Sequence, residues 1–147
     1  MSDSDVLELN QLAYRYAAAV DACDVDAFLA VFHPDARVRT YHPDAEEPFG
    51  DIVGHEELAS VPRTMREMFR RTAHQFTNHL VEVVGDSATG TLLCTARHLR
   101  VNADDGVLAI VIRYVDRYER RAGVWRISDR QIRFLWSERC PVVDSGL

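Results

Sequence analysis

The chain has 147 residues, 47% hydrophobic and 27% charged, the profile of one folded domain that can bury roughly 70% of its unfolded surface without disulfide or metal staples. Seventeen basic against 23 acidic residues give a net charge of −6, which argues against a general nucleic-acid or anionic-membrane binder, because phosphate affinity needs clustered positive charge. Every basic residue is arginine, so Schiff-base chemistry, lysine-anchored pyridoxal phosphate and the lysine-containing P-loop are excluded together.

Val6, Leu9, Ala13, Tyr16, Ala17 and Val20 recur at three- and four-residue steps and predict an amphipathic helix over about 4–22, with Ser4 or Asp3 as N-cap. Asp24 is expected to cap a short second helix through Phe28, Leu29 and Phe32 that stops at His33-Pro34. Ala36 to Tyr41 reads as a short strand, and 42–49, with two prolines and three acids, as an exposed loop. A third helix follows Gly54 and buries Leu58, Met65, Met68 and Phe69, with Pro62 near its start or at a break between two pieces.

From Thr72 the helical period is lost. Turns at Gly85-Asp86, at Ala103-Asp104-Asp105-Gly106 and at Arg121-Ala122-Gly123 separate four strands, about 73–84, 87–101, 107–120 and 124–136, joined as antiparallel hairpins. Residues 1–147 therefore form one α+β domain with helices on one face of a curved antiparallel sheet, and the tail from Cys140 to Leu147 is a loose end or a lid. Three widely spaced cysteines, an acidic N-terminus without an apolar signal core, and no apolar run of about 18 residues point to a cytoplasmic protein that spans no membrane.

Strand alternation places Ala88, Gly90, Leu92, Cys94, Ala96 and His98 on one face, and His74, Phe76, Asn78 and Leu80 on one face of the preceding strand, with His79 pointing the opposite way. Each histidine reads either as a half-buried, hydrogen-bonded strand residue or as a group facing a pocket. Asp21, at the negative pole of the first helix, is either a solvated acid with a raised pKa or a carboxylate that orients a histidine. Tyr16 reads as core filler or as a pocket hydroxyl, and Arg130, beside Ser128, Ile132 and Phe134, as a surface ion pair or as a binder of an anion or carbonyl. No His-Glu-x-x-His, Gly-x-Gly-x-x-Gly or Gly-x-Ser-x-Gly occurs, so neither metal nor nucleotide cofactor nor serine-hydrolase elbow is indicated.

The order helix, helix, strand, helix and four long strands resembles the nuclear transport factor 2-like, or SnoaL-like, α+β cone over about residues 4–138. The resemblance rests on Tyr16-Ala-Ala-Ala-Val-Asp21, Phe32-His-Pro-Asp35-Ala, Gly54, His74-Gln-Phe-Thr-Asn78, Gly85-Asp-Ser-Ala88 and the stretch Arg117 to Ile127 around Trp125. Within that superfamily the chain looks most like the branch of scytalone dehydratase, bile-acid 7α-dehydratase and hexachlorocyclohexane dehydrochlorinase. The likeness implies that Asp21 and His74 form a pair, that His98 stands where scytalone dehydratase has its second histidine, and that Tyr16 and Arg130 match a tyrosine and an arginine of such sites. Serine, asparagine and tyrosine positions around scytalone are replaced here near Val20, Ile112, Tyr114 and Thr40-Tyr41, which implies a different substrate. The dehydrochlorinase's lysine is Tyr16 here, which argues against dechlorination.

Taken together, the expectation is a cofactor-free lyase or isomerase, most simply a dehydratase, acting on a hydrophobic cyclic small molecule. Asp21, His74, His98 and Tyr16 carry the catalysis, and Arg130, Asn78, Tyr41, Tyr114, Cys94 and Phe76 bind substrate. A polyketide cyclase or epoxide hydrolase using Asp116, or a non-catalytic binding or assembly module, are the alternatives. Arg113, Val115 and Arg117, with Arg133 and Leu135, make the other sheet face more apolar than a free sheet leaves exposed, so a homo-oligomer, trimer or dimer, is expected.

Overall fold

The computed structural model describes residues 3–101 and 106–142. Helix α1 (Asp3–Ala22) includes both residues expected to cap it, and the Ser4 hydroxyl instead reaches Glu8, one turn on. Its inward residues Leu9, Leu12, Ala13, Tyr16, Ala19 and Val20 are all buried, as the three-and-four spacing requires. Asp24 caps α2 (Val25–Ala30) by accepting the Ala27 N–H at 3.0 Å. That helix is shorter than expected, because Phe32 and His33 already belong to β1 (Phe32–Tyr41).

After the loop at 42–49, an unanticipated strand β2 (Gly50–Val53) pairs with β1. Gly54 follows with φ +79, a left-handed conformation, and an added Cβ would stand 3.3 Å from the Pro34 carbonyl. The third helix is two pieces, α3 (Gly54–Leu58) and α4 (Ser60–Met68), and buried Pro62 falls in the first turn of α4, where its missing N–H costs least. Leu58 is buried as expected, whereas Met68 is half exposed and Phe69 opens the next strand.

Strands β3 (Phe69–Val84), β4 (Ser87–Arg100), β5 (Val107–Arg121) and β6 (Val124–Cys140) each pair antiparallel with the next; β3 starts earlier and β6 runs further than the alternation suggested, while β4 and β5 match it to within a residue. The six-stranded order is β2-β1-β6-β5-β4-β3, an open curved sheet in which β1 and β6 run parallel and all other pairs antiparallel. The turn expected at 103–105 and the tail residues 143–147 lie outside the described residues, while the described start of the tail continues β6 to Cys140.

Alternation holds along β4, where Ala88, Gly90, Leu92, Cys94, Ala96 and His98 are all buried. On β3 it breaks. One residue is inserted between Thr77 and Leu80 relative to β4, and Asn78 takes φ +53 to accommodate it. The phase inverts beyond that bulge: Asn78 and Leu80 are exposed and His79 turns inward, the reverse of the strict alternation expected there.

Candidate active site

Asp21 and His74 meet where the C-terminal turn of α1 crosses β3. His74 Nδ1 lies 2.7 Å from Asp21 Oδ1, the His74 backbone N–H donates to Asp21 Oδ2 at 3.0 Å, and the Thr72 hydroxyl donates to Oδ1 at 2.8 Å. Burial pushes the Asp21 carboxyl up, but the hydrogen bonds from the His74 ring, the His74 backbone and Thr72 outweigh it and hold the group below the usual carboxylate range. The expected rise at a helix C-terminus is thus reversed by three donors that the helix does not supply. The His74 side chain is 6% exposed and Asp21 28%, so the pair sits at the edge of the interior rather than at its centre.

His98, one register step away as the partner of Thr72, packs edge-on against His74 with ring centroids 5.4 Å apart and against Phe69 at 4.6 Å. Burial, reinforced by the neighbouring His74, lowers its pKa to about 4, against a backbone hydrogen bond with Leu108. Its Nδ1 is buried without a partner among the described residues.

Deeper in, Tyr16, Phe76 and Tyr114 form an aromatic cluster with centroid separations of 5.9, 5.1 and 6.1 Å. Burial raises the pKa of both tyrosines, and raises the Cys94 thiol to about 12, so all three keep their protons at neutral pH. Arg130 is completely buried, not a surface ion pair: Nε and Nη2 donate to the two oxygens of Asp116 at 2.8 and 2.7 Å. Its guanidinium carbon lies 4.2 Å from the Tyr16 ring centre and 4.6 Å from that of Tyr114.

Asp116 also accepts the Tyr118 hydroxyl at 2.7 Å; that hydroxyl lies 3.1 Å from His79 Nε2, and His79 Nδ1 lies 2.8 Å from Asn10 Oδ1 on α1. Gly90 leaves room for this chain, since a Cβ there would stand 3.0 Å from the Tyr118 ring and 3.2 Å from His79 Nε2. Sequence reasoning missed His79, Tyr118 and Asn10 as members of a network. The signal was partly present: Asp116 and Arg130 both read inward on adjacent hairpin strands, where opposite charges have to pair.

Two expected substrate contacts are not in this interior. Asn78 is exposed at the β3 bulge. Tyr41 is buried but stands apart from the central core cluster, pairing in register with Arg133 and covered by that guanidinium at 4.5 Å from its ring centre, while Val38 pairs with Arg130. Among the described residues, no three His, Cys, Asp or Glu side chains are grouped to hold a metal ion, and no helix is long and apolar enough to cross a membrane.

Cavities of about 560, 590 and 580 Å³ open elsewhere: between α1, α2 and Trp125, between α2 and α4, and on the outer face at Leu80 and Val115. None is lined by His74, Tyr16 or Arg130. The rings of Tyr16 and Tyr114 cover the Arg130 guanidinium.

Comparison with known proteins agrees with this architecture. Residues 3–131 match the SnoaL-like domain family. A candidate scytalone dehydratase from Novosphingobium aromaticivorans superposes with a TM-score of 0.81 at 18% identity, over 97% of this chain and 94% of that one. A type 2 hexachlorocyclohexane dehydrochlorinase (LinA) gives 0.83 at 19% identity, covering 98% and 96%. The type 3 dehydrochlorinase of Novosphingobium barchaimii LL02 gives 0.80 at 20% identity, covering 98% and 92%. No curated protein sequence matches the chain. With its open, curved sheet wrapped on the helices, and with the family match spanning most of its length, the chain belongs to the SnoaL-like domain family and has the nuclear transport factor 2-like α+β fold.

Proposed function

We propose that the protein is a cofactor-independent lyase, acting on a hydrophobic cyclic hydroxy ketone by removing water, with His74 as base and Asp21 as its orienting partner. The observation that carries this is the direction of the His74–Asp21 hydrogen bond. A carboxylate can only accept, so Nδ1 carries a proton, and in the neutral imidazole it is then Nε2 that presents the lone pair. No described residue hydrogen-bonds Nε2.

In the reaction the Cα–H proton passes to His74 Nε2, and its electron pair moves to the carbonyl oxygen as an enolate. Collapse of the enolate re-forms the carbonyl, makes the C=C bond and breaks the C–O bond to the β-hydroxyl. His74 returns its proton to that hydroxyl, which leaves as water, and the base is neutral again. Tyr16, kept protonated by burial, donates a hydrogen bond to the enolic oxygen. His98, neutral with a free Nδ1, accepts the hydroxyl hydrogen and so orients the leaving group. The dehydratase and dehydrochlorinase named among the structural neighbours support an elimination on this fold.

The experiment is a screen of cyclic β-hydroxy ketones for ultraviolet absorbance of the conjugated product, repeated with His74→Ala. Loss of a placed base lowers turnover by about 10²–10⁴; near-normal turnover in the variant would remove His74 from the mechanism. The epoxide-hydrolase alternative loses support, because Asp116 is held by Arg130 and Tyr118 and has no water-facing oxygen to spare. The aromatic cover over Arg130 favours one second reading, a binding or assembly module in which His74 and His98 line a site without chemistry; a screen without turnover supports it. For either reading we propose a cytoplasmic homo-oligomer joined through the outer face of β5 and β6, where Val115 and Trp136 are exposed beside Arg113 and Arg117. A light-scattering mass of one chain at micromolar concentration contradicts that assembly.

A further inference from the structure

Arginine ordinarily recognises a carboxylate ligand with its two-pronged donor edge. Here that edge is already occupied. Asp116 and Arg130 are direct register partners on β5 and β6, both with side chains no more than 1% exposed, and Asp116 takes the protons of Nε and Nη2. Asp116 is itself fixed through Tyr118 and His79 to Asn10, so it cannot swing aside for a competing anion. What remains is Nη1, buried and without a partner among the described residues, beside the hydroxyl-bearing rings of Tyr16 and Tyr114.

The charge balance decides what this atom can take. A carboxylate brought to Nη1 would put two buried anions on one guanidinium and leave one charge unmatched in a dry interior. A neutral carbonyl oxygen accepts the same N–H, leaves no charge over, and satisfies a donor that is costly to leave unpaired. We infer that Asp116 is a specificity-determining residue: by neutralising Arg130 it makes the inner end of the site select a neutral oxygen acceptor, such as a ketone, ester or amide carbonyl, over a carboxylate. Placing the substrate's carbonyl there deepens the lyase reading and rests on it, because the proton that His74 removes is acidified by that carbonyl.

Benzamide and benzoate share ring and shape and differ in charge, so the pair tests the rule without a known substrate. Both are titrated into the full-length ¹⁵N-labelled protein at pH 7.5, and only binding that moves the amides of Phe76, Tyr114 and Arg130 is counted. Wild type should bind benzamide at least tenfold more tightly than benzoate. Asp116→Asn, which leaves the Arg130 charge unmatched, should reverse the order, and Asp116→Glu should keep it. If Asp116→Asn does not fold, the wild-type ratio still decides. Benzoate binding as tightly as benzamide in wild type, an unchanged ratio in folded Asp116→Asn, or no movement of these amides with either compound at millimolar concentration would overturn the inference. A wild type that selects benzamide but dehydrates no hydroxy ketone refutes the lyase reading and leaves the charge rule standing.

Discussion

Two of the pairs of a carboxylate and a nitrogen base among the described residues, Asp21–His74 and Asp116–Arg130, are built for opposite purposes. Asp21–His74 lies at the C-terminal end of α1, on the rim, with one partner 28% exposed and one ring nitrogen free. Asp116–Arg130 is sealed, tied back to Asn10, about 16 Å up the helix from Asp21 by helical rise. An imidazole near neutral pH can take and return a proton; a guanidinium cannot lose one. The first pair is therefore suited to moving protons and the second to holding a fixed, internally neutral dipole. The lesson is that the same charge pattern, an acid facing a base, acquires its role from exposure and from which proton is movable.

The comparison breaks most visibly if the sealed pair is opened. Arg130→Met strands a buried carboxylate, and urea unfolding should show a loss of about 3–5 kcal/mol, most of it recovered in the double variant Arg130→Met with Asp116→Leu; a loss under about 1 kcal/mol would mean that the pair is not sealed. A smaller effect tests the rim. The His98 pKa is depressed from 6.5 to about 4, so its neutral form stabilises the fold fully above pH 6.5 and that contribution is lost as pH falls through 4. In wild type this acid-side loss should reach at most about 3 kcal/mol, and His98→Leu should flatten it between those pH values in thermal melts; an unchanged slope contradicts the assignment. Smallest is Gly90→Ala, which pushes a methyl against Tyr118, His79 and the Leu80 carbonyl and should cost about 1–3 kcal/mol, read as a lowered denaturant midpoint, with no loss as the contrary result.

How far the sequence carried this picture depends on how local the cause was. Leu9 to Val20 on α1, Asp24 as a cap and Ala88 to His98 on β4 follow from periodicity and side-chain chemistry within a few residues, and the structure repeats them. The pairing of Asp21 with His74 was legible only through family likeness, since nothing in composition relates residues 53 apart. His79 was misplaced because a single inserted residue with positive φ inverts a strand's phase; Asn78 is of a type that adopts positive φ more readily than most, but an asparagine within a strand run does not by itself mark a bulge. Tyr41 is buried under Arg133 instead of beside Arg130, because the parallel pairing of β1 with β6 sets Val38 opposite Arg130 and Tyr41 opposite Arg133, which alternation within one strand does not reveal. Arg130 was seen as a candidate, but its burial depends on Asp116 arriving on the neighbouring strand, a tertiary fact.

The most direct test of the central claim, that His74 and Asp21 act as one proton-transferring unit, is a double-mutant cycle on turnover. On a substrate from the screen, kcat/KM is measured for wild type, His74→Ala, Asp21→Asn and the double variant, with folding checked by circular dichroism. The account predicts that each single change removes most of the rate and that the double variant falls little further, because an unoriented base and an absent base leave the same residual reaction. Losses that multiply, each substitution lowering the rate independently by its full factor, would show two separate residues rather than a dyad and contradict the mechanism.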